Sequence, residues 1–346
     1  MILPGDNPDS VAEAIKRICA GELLGLPTET VYGLAADACN DAAVAKVFAA
    51  KGRPSGHPLI VHIARAELAD HFAHSIPDFA RALMTAFWPG PLTLILPRRP
   101  GIASAAAGQQ PTVGLRCPAH PVALALLNLG GKQLESDPHF FGLAAPSANL
   151  FGRVSPTLAQ HVSEEFGEDL LILDGGPCQI GIESTIVDCT RGQPVLLRPG
   201  AITPAQLGQA CGLDVLQKEE LIALTTPAPK ASGTLESHYA PKARVRLLDA
   251  TALQQWLRRA QDQNLRRDVP MVTPPKLALW TRCNLDHDHA SLLHCVMPAD
   301  AAQAAQQLFA QLRRFDAAGA SEIWIETPPD SPDWDGVRDR LQRAAH

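Results

Sequence analysis

The first two hundred residues alternate between apolar positions at helical spacing and short, nearly continuous apolar runs. Val11, Ile15 and Ile18 fall on one face of a helix. Asp9 or Ser10 precedes this run, and either side chain can cap the N-terminus of the helix. Similar patterns predict a strand at 22–26, helices at about 40–50 and 119–129, and strands at 59–63, 92–96, 112–117, 170–174, 185–189 and 194–198. The mixture indicates an α/β fold.

The pattern changes between about residues 208 and 243, where the periodicity fades. This stretch is rich in Pro, Ser, Thr and Gly, which is the composition of a linker. Beyond it, short apolar runs at 244–248, 276–280 and 322–326 alternate with helical patterns at 251–262, 299–317 and 333–345. That alternation predicts a small, Rossmann-like α/β domain with a parallel sheet. We therefore expect a first domain over 1–207, a linker over 208–243 and a C-terminal domain over 244–346.

Length and charge narrow the classes of function. A chain of 346 residues is long for one compact core, so two domains are the expected organisation. The formal net charge of −6 gives no overall attraction to a phosphate backbone, which argues against a bulk nucleic-acid binder. No apolar stretch approaches the roughly 18 residues of a membrane span. Because the N-terminus carries neither a basic run nor a long apolar core, we expect a cytoplasmic protein.

Lys51 and Arg53 are the first candidates for chemistry. They follow a predicted helix, and the neighbouring Gly52, Pro54 and Gly56 force an irregular loop around them. Two cations two residues apart on a stiff loop can face one anion. The alternative is a solvated pair that is favourable to the helix dipole. The residues alone leave both interpretations open.

The PTET block at 27–30 places two hydroxyls and a carboxylate on a turn after a buried strand. The hydroxyls of Thr28 and Thr30 could bind a ligand, although the commoner fate of such a residue is to cap the turn. His62 ends the predicted strand at 59–63, where a lone His is more often a core residue than a ligand. The residues alone therefore do not assign Thr28, Thr30 or His62 to a ligand-binding site.

Arg116 ends a strand that reads TVGLR, where a buried guanidinium needs a fixed anionic partner. The carboxylate of a free amino acid would supply one, in a bidentate geometry that Arg forms better than Lys. An internal ion pair with a residue such as Glu29 or Glu183 is the alternative. The sequence does not separate the two.

A glycine-rich segment at 175–185 reads GGPCQIGIEST, and its backbone N–H groups could approach an anion closely. The chain contains neither a Walker loop nor a dinucleotide fingerprint, so any ATP is bound in another way.

Two clusters of the C-terminal part are interpreted as surface features. One contains Cys283, His287, His289, His294 and Cys295. Their spacing fits no standard zinc pattern, so we expect a polar loop and no metal held by the protein. The other contains Arg258, Arg259, Arg266 and Arg267. We interpret these as the solvated face of a helix and its loop, with RNA contact as the alternative.

Six sequence blocks resemble a known family in their order and spacing. They are PTETVYGL (27–34), KGRPSGHPLIVHI (51–63), GLR (114–116), APSANLFGRVSPT (145–157), GIESTIVD (181–188) and LRPG (197–200). Together they resemble the YrdC-like domain of threonylcarbamoyl-AMP synthases. A HYAPKA segment (238–243) is similar to the long form of that family. The resemblance implies a YrdC-like domain with a twisted mixed sheet, followed by a smaller Rossmann-like α/β domain.

The resemblance also implies a nucleotidyltransferase reaction, in which L-threonine, bicarbonate and ATP give threonylcarbamoyl-AMP and pyrophosphate. Lys51 and Arg53 would be catalytic. The L-threonine site would contain Thr30, His62, Arg116 and Ser184. The ATP site would contain Arg53, His57, Thr112, Ser147, Asn149, Ser155, Arg198 and Tyr239. Mg²⁺ would bridge phosphate oxygens rather than lie in an all-protein cage.

The family likeness implies partners as well. The product would serve threonylcarbamoylation of the adenosine beside the anticodon of tRNA, performed by separate transfer proteins. Tyr239 would fold over the nucleotide as part of a lid, with a plain interdomain tether as the alternative. The segment 132–142 looks like an insertion and is interpreted as a surface loop.

Two other classes of function are consistent with parts of the sequence. One is a carbamoyl-adenylate-forming enzyme, similar to the YrdC-like part of hydrogenase-maturation carbamoyltransferases, whose zinc-finger and acylphosphatase-like regions this sequence lacks. The other is a non-catalytic double-stranded RNA-binding protein, since a basic concave surface is typical of the fold. The acidic net charge disfavours this second class.

Overall fold

A computed structural model gives the fold of most of the chain. It describes residues 1–133, 142–218, 220, 229, 233, 238–253, 255, 277–282 and 292–346. The chain divides into two compact units. Unit 1 comprises Met1–Phe151 and Ser155–Thr234, and unit 2 comprises Gly152–Val154 and Leu235–His346. Within the described residues, no helix has the length and apolar character needed to cross a bilayer.

Unit 1 is built on one sheet. Its strands are β1 (Ile2–Pro4), β2 (Leu24–Leu26), β3 (Gly33–Asp37), β4 (Ile60–His62), β5 (Leu92–Pro97), β6 (Thr112–Arg116), β7 (Leu143–Ala144), β8 (Leu171–Asp174), β9 (Thr185–Asp188), β10 (Val195–Arg198) and β11 (Leu216–Gln217). These described strands form an eleven-stranded sheet in the order β1-β8-β2-β3-β7-β4-β6-β5-β9-β10-β11. Parallel and antiparallel neighbours both occur, so the predicted mixed sheet is confirmed.

Helices cover this sheet on both sides. They are α1 (Pro8–Cys19), α2 (Asp41–Lys51), α3 (Ala69–Phe72), α4 (Asp78–Phe87), α5 (Pro121–Gln133), α6 (Ala159–Phe166) and α7 (Pro204–Cys211), with a 3₁₀ turn at Ala66–Leu68. Alternate residues of β3 pack into two apolar clusters: Leu34 and Ala36 join the cluster containing α2 and α4, and Ala35 joins that containing α1 and α5. Since side chains alternate across a strand, the clusters lie on opposite faces of the sheet. Of the predicted insertion at 132–142, residues 134–141 lie outside the described residues.

The start of α1 differs from the sequence prediction. Asn7, rather than Asp9 or Ser10, is the cap: its Oδ1 accepts a hydrogen bond from the N–H of Asp9 at 2.9 Å. Pro8 then occupies the first helical position, where the missing N–H costs nothing because that group has no intrahelical partner. The helix therefore begins earlier than the apolar spacing indicated.

Helix α2 ends in a way that sets up the loop after it. Gly52 adopts a left-handed conformation with φ of +60°, which favours glycine because it has no Cβ. Lys51 is consequently the last helical residue, and Arg53 is already in the loop. The helix predicted at about 40–50 is confirmed.

Unit 2 contains the predicted parallel sheet. Its strands are β12 (Arg244–Leu248), β13 (Leu277–Thr281), β14 (Leu292–Val296) and β15 (Glu322–Glu326), in the order β12-β15-β13-β14 and all parallel. Helices α8 (Ala301–Ala317) and α9 (Asp335–Ala344) and a 3₁₀ turn at Pro332–Trp334 complete its described elements. Of the helix predicted at 251–262, residues 251–253 and 255 are helical, and the other positions lie outside the described residues.

Strand β14 was not predicted. It contains His294 and Cys295, so the polar-loop interpretation was wrong for these two residues. Cys283, His287 and His289 lie outside the described residues.

Candidate active site

The PTET turn is fixed by its own hydroxyls. The Oγ1 of Thr28 accepts hydrogen bonds from the N–H groups of Thr30 and Val31, each at 3.2 Å. It also lies 2.9 Å from the Oγ1 of Thr30. Thr28 therefore caps the turn, as its commoner role predicts, and it holds the hydroxyl of Thr30 in place.

Arg116 meets that hydroxyl from the end of β6. Its Nη1 donates to the Oγ1 of Thr30 at 2.8 Å, and its Nε donates to the carbonyl of Gly90 at 3.2 Å. Its Nη2 lies 2.6 Å from the Oε1 of Glu29, and both side chains are about 4% exposed. The structure therefore contains an internal ion pair, and its partner is Glu29 rather than Glu183.

His62 lies beside Arg116, because parallel strands β4 and β6 place the two residues in register. Its Nδ1 is 3.3 Å from the carbonyl oxygen of Ile60, which can only accept a hydrogen bond. Burial, with the nearby charge of Arg116, lowers the pKa of His62 to about 3. The imidazole is therefore neutral at pH 7, and it presents a polar but uncharged group next to the guanidinium.

Ser184 is fixed by two neighbours from different strands. Its Oγ is 2.7 Å from the Oγ1 of Thr93 on β5. Arg198, at the end of β10, donates from Nη2 to the same Oγ at 3.2 Å and to the carbonyl of Ser184 at 2.9 Å. All three side chains are buried. Ser184 therefore links Thr93 on β5 to Arg198, the cation that is predicted to bind the nucleotide.

Two of the six sequence blocks contain the two halves of one family signature, Lys-x-Arg at 51–53 and Ser-x-Asn at 147–149, and Lys51 connects them. Its Nζ donates to the carbonyl of Ser147 at 2.5 Å and to that of Asn149. The N–H of Phe151 donates back to the carbonyl of Lys51 at 2.8 Å. The last turn of α2 and the loop after β7 are therefore held together by one buried ammonium group.

This ammonium group is electrostatically strained. Burial lowers the pKa of Lys51 well below its ordinary value, and the neighbouring charge of Arg53 lowers it further. The charges of Glu165 and Glu183 raise the pKa of Lys51. An anion placed between the two cations would relieve the repulsion.

Arg53 and His57 share an aromatic neighbour. The Cζ of Arg53 lies 5.9 Å from the ring centroid of Phe151, and the His57 ring meets the same ring edge-on at 5.7 Å. Arg53 also donates from Nη2 to the carbonyl of Pro58 at 2.8 Å. These contacts restrict the loop that follows α2, so Arg53 is held in a defined orientation.

The remaining candidates are distributed more widely. The Oγ of Ser155 donates to the Oε1 of Glu183 at 2.5 Å. Thr112 begins β6, on the same face as Arg116 and about 13 Å from it at the usual rise per residue of a strand. Tyr239 belongs to unit 2, where its ring packs against Phe309. The assignments of all these residues to L-threonine or ATP stay predictions.

The described residues contain no group of three His, Cys, Asp or Glu side chains arranged to hold a metal ion. Glu183, one of the two carboxylates that raise the pKa of Lys51, already accepts a hydrogen bond from Ser155.

Sequence reasoning missed several residues of this site. Thr93 lies in none of the six blocks, and Phe151 lies in one of them but was given no role; their importance comes from contacts with Ser184 and with Arg53. The role of Glu183 as the partner of Ser155 was equally invisible, since 28 residues separate them. Glu29 was named only as an alternative partner of Arg116.

The fold and the site define a two-unit α/β protein with a cluster of buried cations and hydroxyls, and comparisons with known proteins agree. A family model described as Telomere recombination matches residues 16–200, and one described as Threonylcarbamoyl-AMP synthase, C-terminal domain, matches residues 202–346. The threonylcarbamoyl-AMP synthase of Bacillus subtilis is 37% identical over 98% of this chain and 94% of its own length. That of Pyrococcus abyssi is 36% identical over 94% of this chain and 91% of its own.

Solved structures agree with the sequence relatives. The Sua5 protein of Pyrococcus abyssi in complex with L-threonine superimposes with a TM-score of 0.84 at 32% identity, covering 100% of this chain and 97% of that one. The chain belongs to the family of threonylcarbamoyl-AMP synthases. This membership, over nearly the whole length, favours the synthase over the carbamoyl-adenylate and RNA-binding alternatives. The family consists of nucleotidyltransferases that supply threonylcarbamoyl-AMP for the modification of tRNA.

Proposed function

We propose that unit 1 binds L-threonine and ATP side by side and joins the carbamate of threonine to the α-phosphorus of ATP. The observation that carries this proposal is the contact of Lys51 with the carbonyls of Ser147 and Asn149. It brings together both halves of the family signature, 96 residues apart in sequence, around one buried cation. A cation placed in this way is suited to stabilise the negative charge of a polyphosphate ligand.

On the threonine side, four residues make the pocket. Arg116 binds the carboxylate of the amino acid through N–H groups that its present partners leave available. Thr30, His62 and Ser184 supply uncharged polar groups for the hydroxyl of the substrate. Because His62 is neutral at pH 7, it does not repel Arg116.

On the nucleotide side, cations surround the phosphates. Lys51 and Arg53 neutralise the charge that develops as pyrophosphate leaves, and Arg198 reaches the phosphates from β10. The polar side chains that contact the phosphates and ribose are His57, Thr112, Ser147, Asn149 and Ser155. Mg²⁺ would accompany ATP, held mainly by the phosphates rather than by protein side chains, and would supply further positive charge there.

The reaction needs no covalent enzyme intermediate. Bicarbonate takes a proton from the ammonium group of threonine and gives CO₂ and water. The free amine forms an N–C bond with this CO₂ and releases a second proton to solvent, and an oxygen of the resulting carbamate attacks the α-phosphorus. The bond to the bridging oxygen of pyrophosphate breaks, and pyrophosphate leaves with the electron pair. Alignment of two bound substrates and cationic stabilisation of the phosphates account for the catalysis. Separate proteins then transfer the threonylcarbamoyl group to tRNA.

Isotope labelling tests this function. With ¹³C-bicarbonate, L-threonine and ATP, we expect threonylcarbamoyl-AMP heavier by one mass unit, and one pyrophosphate released for each product molecule. An adenylate that forms without threonine, with carbamoyl phosphate as the carbon source, would contradict the proposal. It would favour the carbamoyl-adenylate class instead.

A further inference from the structure

Glu29 is a buried carboxylate that the site described above does not use. Its side chain is 4% exposed and its ion-pair partner is Arg116, with Nη2 and Oε1 2.6 Å apart. Neither oxygen has a hydrogen-bond partner among the described residues, and Oε2 is the one that faces away from the ion-pair contact measured to Oε1. An ionised carboxylate in this environment normally satisfies both oxygens, because an unpaired buried charge is costly. The open side of Glu29 is therefore suited to a cationic ligand.

The backbone holds Glu29 firmly in this position. The N–H of Ile180 donates to its carbonyl at 2.8 Å, and the hydroxyl of Thr28 fixes the turn on its C-terminal side. The carboxylate is thus presented by a rigid turn, which is how a binding group is usually kept ready for its ligand.

Arg116, the guanidinium next to Glu29, has N–H groups that could donate to a ligand. Arg116 has five N–H groups, and its hydrogen bonds to Gly90 and Thr30 account for two of them, while Nη2 contacts Glu29 only as an ion pair. One N–H on Nη1 and both N–H groups on Nη2 have no hydrogen-bond acceptor among the described residues. A buried cation and a buried anion in contact, each with unused bonding capacity, are complementary to a zwitterion, because a free α-amino acid carries both charges on one carbon.

We propose that Glu29 binds the α-ammonium group of the substrate amino acid while Arg116 binds its carboxylate. Glu29 is then a specificity-determining residue that selects an amino acid over a hydroxy acid and holds the nitrogen for carbamate formation. This inference rests on the proposed function, since it concerns the same threonine pocket. It assigns the one charge of the substrate that Thr30, His62, Arg116 and Ser184 leave unmatched.

The test compares two ligands that differ only in the amine. (R)-3-hydroxybutyrate keeps the carboxylate, hydroxyl and methyl groups of L-threonine and lacks its ammonium group. In calorimetry with the wild-type protein, we expect it to bind at least about tenfold more weakly than L-threonine, since it lacks the charge-assisted hydrogen bond to Glu29. Equal affinities for the two ligands would overturn the proposal without any variant.

The variant Glu29→Gln separates ammonium binding from support of Arg116. We expect its affinity for L-threonine to fall by about tenfold or more, while its affinity for (R)-3-hydroxybutyrate stays within about threefold of wild type. Affinities for both ligands that fall by the same factor would show that Glu29 only holds Arg116, and an unchanged affinity for threonine would equally overturn the idea. Glu29→Asp, which keeps the charge, is expected to bind threonine better than Glu29→Gln.

Two controls keep this result distinct from the proposed function. ATP binding by each variant reports that unit 1 is folded. A wild-type protein that binds ATP and not L-threonine would contradict the proposed function itself. A wild type that binds threonine, with Glu29→Gln unaffected, would contradict only the role of Glu29.

Discussion

Arg198 donates a hydrogen bond to Ser184: its Nη2 lies 3.2 Å from the Oγ of the serine. The sequence assigned Arg198 to ATP and Ser184 to threonine, so this contact joins the two predicted substrate sites. Two further bonds from Arg198, at 3.0 and 2.9 Å, reach the carbonyl of Ser184. A carbamate on threonine and the α-phosphate of ATP must approach each other in the reaction, and we propose that they do so beside this contact.

Removing the hydroxyl of Ser184 should affect threonine more than ATP. We expect Ser184→Ala to weaken L-threonine binding by about tenfold, the effect of one lost hydrogen bond with a buried partner left behind. ATP affinity should stay within about threefold, because the bonds of Arg198 to the carbonyl of Ser184 remain. Calorimetry with each ligand measures both constants. Thr85→Ala is the matched control, since it removes an exposed hydroxyl on α4. An equal loss of both affinities would mean that Ser184 acts only through Arg198.

Lys51 should be essential for turnover. We expect Lys51→Ala to lower kcat/KM by about 10²- to 10³-fold, because the phosphates lose a preorganised cation. Lys46→Ala is the matched control: Lys46 lies on the same helix and also donates to a backbone carbonyl, that of Gly21. Its kcat/KM should stay within about threefold of wild type. Steady-state pyrophosphate release, with thermal melts to verify folding, makes the comparison. Wild-type turnover by Lys51→Ala would disprove the catalytic assignment.

His62 should make the fold less stable in acid. Its pKa in the folded state is lowered to about 3, whereas an unfolded chain binds the proton near the ordinary value of 6.5. As the pH falls from about 6.5 towards 3, the unfolded state takes up a proton that the folded state refuses, so the free energy of unfolding decreases. We expect His62→Gln to show a smaller decrease between pH 6.5 and pH 4 in denaturant titrations.

The control for this prediction is His74→Gln, because His74 is exposed. It should retain the wild-type dependence of stability on pH. A His62→Gln variant with the same dependence as wild type would mean that the pKa of His62 is not lowered in the folded protein.

Substrate choice should depend on the hydroxyl of threonine. A pocket that pairs this hydroxyl with Thr30, His62 or Ser184 leaves a polar group unmatched when valine binds. We expect valine to be rejected by about 10³-fold or more in kcat/KM, whereas serine, which lacks only a methyl group, should lose about 10- to 100-fold. Competition assays with both amino acids measure the ratios. Equal rates with threonine and valine would contradict the assignment of these three residues.

Much of the fold follows from local patterns in the sequence. The helix at 40–50 is rich in Ala and lies between Asn40, which caps it, and Gly52, which ends it, and the strands at 59–63 and 92–96 are short continuous apolar runs. Strand β7 was missed because two residues carry no period, and its pairing with β3 and β4 depends on chain segments far away. Strand β14 was missed because polar residues within and before it resembled a loop.

The residues of the candidate site could be predicted only in part, again because local sequence patterns do not specify contacts between distant segments. Motifs identified Lys51, Ser147 and Asn149, because the family blocks contain them. The contacts of Glu29 with Arg116 and of Thr93 with Ser184 join distant segments, and no local pattern specifies such pairs. The sequence could therefore name Glu29 as an alternative partner, and only the folded chain could select it.

The most direct test of the whole account is mass-spectrometric detection of threonylcarbamoyl-AMP in mixtures that lack L-threonine, bicarbonate or ATP one at a time. We expect product only when all three are present, with pyrophosphate released in parallel. Product in the absence of threonine, or no product from a folded protein supplied with all three substrates, would contradict the central claim that one site joins them.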